Sequence, residues 1–281
     1  MNKLLKIITS VLVSGIVAML FFSLTAFAQE TLKSTLKEVS EKSDKIVEIK
    51  ENPKLSAEEK TAQEIQARKD VVYKTMELTA LEDENLKNKL NSIENLSEEE
   101  IIARDYLLKL LGENLKTYEI IKNRLDNAPT NKEIKQLAKD FNNWRIFSYN
   151  QKSEKVIAFV AIFQQKKILA VAESRLQKMS GGIDKIKDTE SLKKDLLEIL
   201  QESAGILNEA KLNNDKALET MLSLIKNEIN PQSLSFIKDF FSFGKKIVTP
   251  ATVKKMISDS IQGVKETYSL FSKINELAEK E

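Results

Sequence analysis

From about residue 31 onward, apolar residues recur three and four positions apart with charged residues between them, and no stretch alternates every second residue between turn residues. A 3.6-residue period without a two-residue period predicts helices throughout and no strand. Gly and Pro, which punctuate chains, number only 7 and 4 and fall where breaks are expected.

The first predicted helix runs from Thr31 to Glu51, with Leu32, Leu36, Val39 and Ile46 on one stripe, and ends at Asn52-Pro53 because a residue before proline is pushed out of helical backbone. Ser56-Ala57-Glu58-Glu59 reads as a capping box, in which serine accepts an N–H of the first turn and the glutamate reaches back. It opens a second helix to about Asn91, striped by Ile65, Val72, Met76, Leu86 and Leu90. Ser97–Glu100 forms a second box, opening a helix striped by Ile101, Leu108, Leu111, Leu115, Tyr118 and Leu125. After the break at Asp126-Asn127-Ala128-Pro129, Thr130–Glu133 forms a third.

A fourth helix is predicted from Asn131 to about Met179, closing at Ser180-Gly181-Gly182. A fifth runs from near Thr189 to Asn230-Pro231, with Asn213-Asn214 as a candidate kink. A short aromatic helix covers about Ser233 to Gly244. The last helix starts with Thr249 as cap and Pro250 in the first helical position. Its Ile257, Ile261, Val264, Tyr268 and Phe271 follow a four-three alternation. Long helices joined by short breaks predict an all-α fold, an elongated antiparallel multi-helix bundle with coiled-coil-like helices. The breaks suggest an N-terminal bundle over residues 29–180 and C-terminal helices over 181–281 that pack on it or continue it.

Residues 1–28 follow a different grammar. Lys3 and Lys6 precede the apolar run Ile7–Phe22, and Ala26-Phe27-Ala28 offers the small residues of a signal-peptidase site. This predicts a cleaved secretory signal and a mature chain beginning at Gln29, outside the cytoplasm. Left uncleaved, the run would be a membrane anchor near the lower limit of the roughly 20 residues a spanning helix needs.

Charge and composition narrow the chemistry. The chain carries 44 Lys and Arg against 42 Asp and Glu, and loss of Lys3 and Lys6 balances the two signs. A neutral chain gives no electrostatic footprint for nucleic acid. Residues 29–100 are acidic and 101–180 basic, as in helices that pair within one bundle. Histidine and cysteine are absent, which excludes imidazole-based nucleophile systems, imidazole or thiolate metal sites, and disulfides. No cofactor is expected. The composition, rich in Lys, Ile and Asn, leans towards a bacterial source.

Four constellations stand out. Val156–Phe163 is the most hydrophobic stretch of the mature chain; a helix apolar on every face belongs in a core, and at eight residues it is too short to span a bilayer. Phe141, Trp144 and Phe147 share a helical face that suits a core, Tyr149 falls off that face, and Arg145 is placed to grip a carboxylate. Phe236, Ile237, Phe240, Phe241, Ile247 and Val248 form an amphipathic stripe beside Lys238, Lys245 and Lys246, suited either to packing or to a membrane interface. Phe236, Phe240, Phe241, Lys245 and Lys246 are therefore the candidate partner- or membrane-contact residues. The acidic runs Glu82-Asp83-Glu84 and Glu98-Glu99-Glu100 read as a solvated face and a helix N-terminus respectively, not as paired catalytic carboxylates.

The expected function follows from these exclusions. It is a non-enzymatic, extracytoplasmic scaffold or protein-interaction module of the cell envelope, with a protein partner or self-association through helical surfaces. A secreted membrane-active protein that inserts one of the two apolar segments is the alternative.

Overall fold

The computed structural model describes residues 37–38, 41–42, 44–184, 190–230 and 249–279. The expected signal segment, most of the first helix and the aromatic stretch Ser233–Gly244 lie outside the described residues; residues 44–51 of the first helix are helical as expected. The described elements are α1 (Ala57–Asn91), α2 (Glu98–Asp126), α3 (Asn131–Trp144), a π-helical turn (Arg145–Tyr149), α4 (Asn150–Ile183), α5 (Glu190–Ile229) and α6 (Pro250–Glu279). No strand occurs among the described residues. The fold is an all-α multi-helix bundle.

The helix starts follow from local chemistry. Ser56 and Ser97 each form a complete capping box, with Glu59 and Glu100 at the third helical position. The third box is only half made. The Thr130 hydroxyl accepts the Glu133 N–H at 3.3 Å, but Thr130 sits at φ −128° where the serines sit at −66° and −68°. The turn before α2 holds Asn95 at φ 57°, left-handed backbone that asparagine tolerates better than most residues. Pro250 occupies the first position of α6 as expected. Two boundaries differ from expectation: α4 continues through Gly181-Gly182 to Ile183, and α5 passes Asn213-Asn214 without interruption.

The chain divides into two compact units between Val156 and Ile157, inside α4. In the first unit, α1 and α2 run antiparallel, since Asp83 meets Asn114 while Lys69 donates to the Asp126 carbonyl at 2.9 Å. Tyr73 donates to the Asp126 carboxylate at the same end. α3 returns along α2, and Val72, Met76, Tyr118, Leu125, Ile134 and Phe141 share one core cluster.

The second unit is a three-helix coiled coil of α4 after Val156, α5 and α6. Leu169 and Ala172 pack with Leu207, Ala210 and Val264. Further along, Met179 and Ile183 pack with Leu196, Leu200, Phe271 and Ile274. As α4 and α6 ascend, α5 descends, so neighbours in sequence are antiparallel. Buried residues on α6 keep an unbroken four-three rhythm through Val253, Ile257, Ser260, Val264, Thr267, Phe271 and Ile274, the heptad spacing of coiled coils.

This rhythm corrects two of the expected stripes. On α6 the seam passes through Ser260 and Thr267, both fully buried, leaving Ile261 38% exposed and Tyr268 half-buried. On α2 it passes through Ala103, Leu107, Leu111, Asn114 and Tyr118, leaving Ile101 and Leu115 exposed. Polar side chains hold the seam by bonding across it or back to their own helix. The Gln165 amide donates to the Ser260 hydroxyl at 3.1 Å, and the Asn214 amide to the Ile162 carbonyl at 3.3 Å. Thr267 donates to Gly263 O at 2.9 Å.

Candidate functional site

Asp83 and Asn114, two of the polar residues buried in the first unit, meet Tyr118 between α1 and α2, with Glu82 and Tyr149 of the π-helical turn alongside. Asp83 lies seven residues after Met76 and seven before Leu90, both buried, so the heptad phase turns its carboxylate into the α1–α2 seam. Asn114 and Tyr118, one turn apart on α2, meet it there. The Asn114 amide donates to both Asp83 oxygens at 3.2 and 3.1 Å, and the Tyr118 hydroxyl donates to one of them at 2.8 Å. Asp83 is 4% exposed and Asn114 wholly buried.

Glu82, one position round the helix, faces the π turn. Tyr149 donates its hydroxyl to Glu82 at 3.0 Å, and the Arg145 guanidinium lies 3.6 Å from the same carboxylate. Arg145 also lies 5.8 Å from the Tyr149 ring centre. Trp144 closes the group, stacking on Phe141 at 5.7 Å and meeting Tyr118 edge-on at 5.4 Å. Lys152 pairs with Glu113 at 2.9 Å on the flank.

The π turn exists because two seams are out of phase. From Phe141 the inward positions are Arg145, Tyr149 and Ser153, three successive steps of four. A regular helix alternates steps of three and four, so this stretch holds one extra residue. The N–H of Asn150 bonds the carbonyl of Arg145, five residues back, and absorbs it. This shift corrects the expected aromatic face. Phe141 is buried and Trp144 partly so, but Phe147 is 70% exposed and Tyr149 only 3%. The expected carboxylate partner of Arg145 is Glu82.

Burial sets the electrostatics. Desolvation pushes the Asp83 carboxyl up to about 6, with the Glu82 charge adding to it, while Tyr118, Asn114 and Lys152 pull the other way. The Tyr118 and Tyr149 hydroxyls are pushed well above the usual tyrosine range, first by burial and then by the adjacent carboxylates. Both tyrosines therefore remain neutral donors. The cluster can hold charge and a proton between helices, and among the described residues no group of three or more His, Cys, Asp or Glu is placed to hold a metal ion.

The Glu82-Asp83-Glu84 run is thus not a uniformly solvated face: Asp83 is core, Glu82 half-buried and Glu84 exposed. Glu98-Glu99-Glu100 does serve the α2 N-terminus. Within Val156–Phe163, Val156, Phe159 and Ile162 are fully buried, but Ile157 is 49% exposed. Phe236, Phe240, Phe241, Lys245 and Lys246 lie outside the described residues. Among the described residues no helix is long and apolar enough to cross a membrane. Hydrophobic periodicity overlooks the Asp83 cluster because it skips polar residues; the signal that finds it is the heptad position of Asp83 and Asn114 between buried neighbours. Comparison of the chain with protein-family models, curated proteins and solved structures yields no match.

Proposed function

We propose that this chain is a non-enzymatic protein of the cell envelope, exported by residues 1–28 and acting through its helical surfaces as a scaffold or protein-interaction module. The observation that supports this most is where the buried polar groups point. Both Asp83 oxygens and the Glu82 carboxylate are engaged by donors from neighbouring elements of the bundle. What the described surface offers a partner is helix faces carrying exposed apolar side chains, among them Phe147 at 70%, Ile120 at 60% and Ile102 at 53%. The charged–apolar–small order of residues 1–28 supports export.

In-cell photocrosslinking from positions 120 and 147, with Glu99 as an exposed polar control, tests the reading. Discrete adducts to one envelope protein from the apolar positions, on a chain whose mass begins at Gln29, are expected. A full-length chain retained in the cytoplasm, or turnover of a cell-wall or peptide substrate by the purified protein, overturns it. Dye release from anionic vesicles would favour the membrane-active alternative.

A further inference from the structure

We infer that Asp83 and Asn114 form a proton-binding pair, in which uptake of one proton from solvent converts a carboxylate held by three donated bonds into a closed acid–amide ring that tightens α1 against α2. The starting point is an imbalance. Asn114 donates twice to Asp83, but its own carbonyl oxygen Oδ1 is buried and accepts no hydrogen bond among the described residues. A buried acceptor without a donor is destabilising, and the ionised carboxylate beside it has no proton to give.

Protonation resolves both. The new Asp83 O–H donates to Asn114 Oδ1 after the amide turns about its last bond, and the amide N–H donates back to the remaining Asp83 carbonyl oxygen. That oxygen has a second lone pair for Tyr118, which already donates at 2.8 Å. The proton forms one O–H bond on Asp83, and no other covalent bond changes. The amide's donation to both oxygens of a carboxylate becomes a reciprocal pair that uses one amide N–H, with both Asp83 oxygens and Asn114 Oδ1 engaged.

The surroundings favour the neutral form. Asp83 is 4% exposed, and its own helix places the Glu82 carboxylate next to it. From α2 it is faced by Tyr118, a neutral donor. From the π turn, Tyr149 is engaged with Glu82, and the Arg145 charge is directed at Glu82 as well. From α4, Lys152 acts on it, and its charge is shared with Glu113 at 2.9 Å. No cation pairs directly with Asp83 among the described residues.

The chain carries its own reporter. Trp144 is the single tryptophan and meets the Tyr118 ring at 5.4 Å, so a change in the Tyr118–Asp83 bond reaches its environment. The test is a titration of the full-length chain from pH 8 to 4. Carbon-13 NMR follows the Asp83 carboxyl, assigned through its backbone, and fluorescence follows Trp144. The expected result is a carboxyl that titrates at least one pH unit above the ordinary aspartate value of about 3.9, with Trp144 emission changing at the same midpoint. In Asp83→Asn, whose amide can form the same ring, that emission step is expected to vanish. An Asp83 carboxyl that titrates at or below the ordinary value overturns the inference, and the wild-type spectrum suffices to show it. An emission step that persists in Asp83→Asn also overturns it.

Discussion

Gly263 on α6 faces Ala210 on α5 so closely that a Cβ added at position 263 would lie 2.9 Å from the Ala210 Cβ. Both atoms would be fixed to helix backbone, so no flexible side chain could yield. The small pair sets how near α5 and α6 approach, one turn from the buried Thr267 that bonds back to the Gly263 carbonyl.

Gly263→Ala is therefore expected to destabilise the second unit although alanine is the better helix former. Relief of glycine's helix penalty contributes about 1 kcal/mol, whereas overpacking a tight contact costs about 1–3 kcal/mol. Gly205, exposed on α5 with nothing within 4 Å of an added Cβ, supplies the opposite case. Gly205→Ala should stabilise by about 0.5–1 kcal/mol. Urea denaturation of both variants checks the pair of signs, and a Gly263→Ala variant as stable as Gly205→Ala would show that the helices are free to separate.

Phe159 is fully buried and packs on Phe163 with ring centres 4.9 Å apart. Truncating a buried phenylalanine costs about 3–5 kcal/mol, and an unpaired buried charge adds to that. Against a total stability of about 5–15 kcal/mol, Phe159→Asp should be barely folded. A thermal melt decides: a melting temperature near wild type would mean that this segment is not core and would reopen the membrane-inserting alternative.

What the residues alone revealed was mostly backbone. Breaks at Pro53 and Pro129 and the two serine boxes mark helix limits because they act through local geometry. The seams were legible only where they are apolar. Hydrophobicity puts Leu115, Ile261 and Tyr268 on the stripes, each one residue from the buried Asn114, Ser260 and Thr267. A hydrophobicity pattern scores the side chain, but burial of a polar seam residue depends on a bond to another helix or to the turn below. The Asp83 cluster was hidden for that reason, and Tyr149 because a five-residue π turn shifts every later position.

The π turn itself makes a sharp prediction. Deleting Phe147, which is 70% exposed, leaves inward positions at Phe141, Arg145, Tyr149 and Ser153 separated by four, three and four residues. That is regular α-helical spacing. The deletion should fold with an uninterrupted helix through Ile183 and lose no more than about 1 kcal/mol, because an exposed side chain is removed and no seam contact changes phase. Deleting Asn142, also exposed but before the turn, serves as the comparison if it is combined with Phe147 loss. Two missing residues rotate α4 off its seam and should unfold the first unit. Thermal melts of the single and double deletions distinguish them; equal loss in both would mean that the π turn does not hold the extra residue.

Tyr118 donates to Asp83 at 2.8 Å and thereby favours the charged carboxylate. Tyr118→Phe removes that bond and should raise the Asp83 midpoint above its value of about 6. Because the folded value already exceeds the ordinary aspartate value of about 3.9, the native chain binds this proton more tightly than the unfolded chain. The stability it contributes is fully present below about pH 4 and is lost as pH rises through about 6. Above that window wild type holds a buried carboxylate steadied by Tyr118, and the variant holds one without it. The variant should therefore lose more stability at pH 8 than at pH 5, by on the order of 1 kcal/mol, the worth of one hydrogen bond to a charged group. Urea denaturation of both proteins at the two pH values measures the difference. An equal loss at both would mean that Tyr118 bonds the neutral acid as strongly as the carboxylate and does not bias the proton at all.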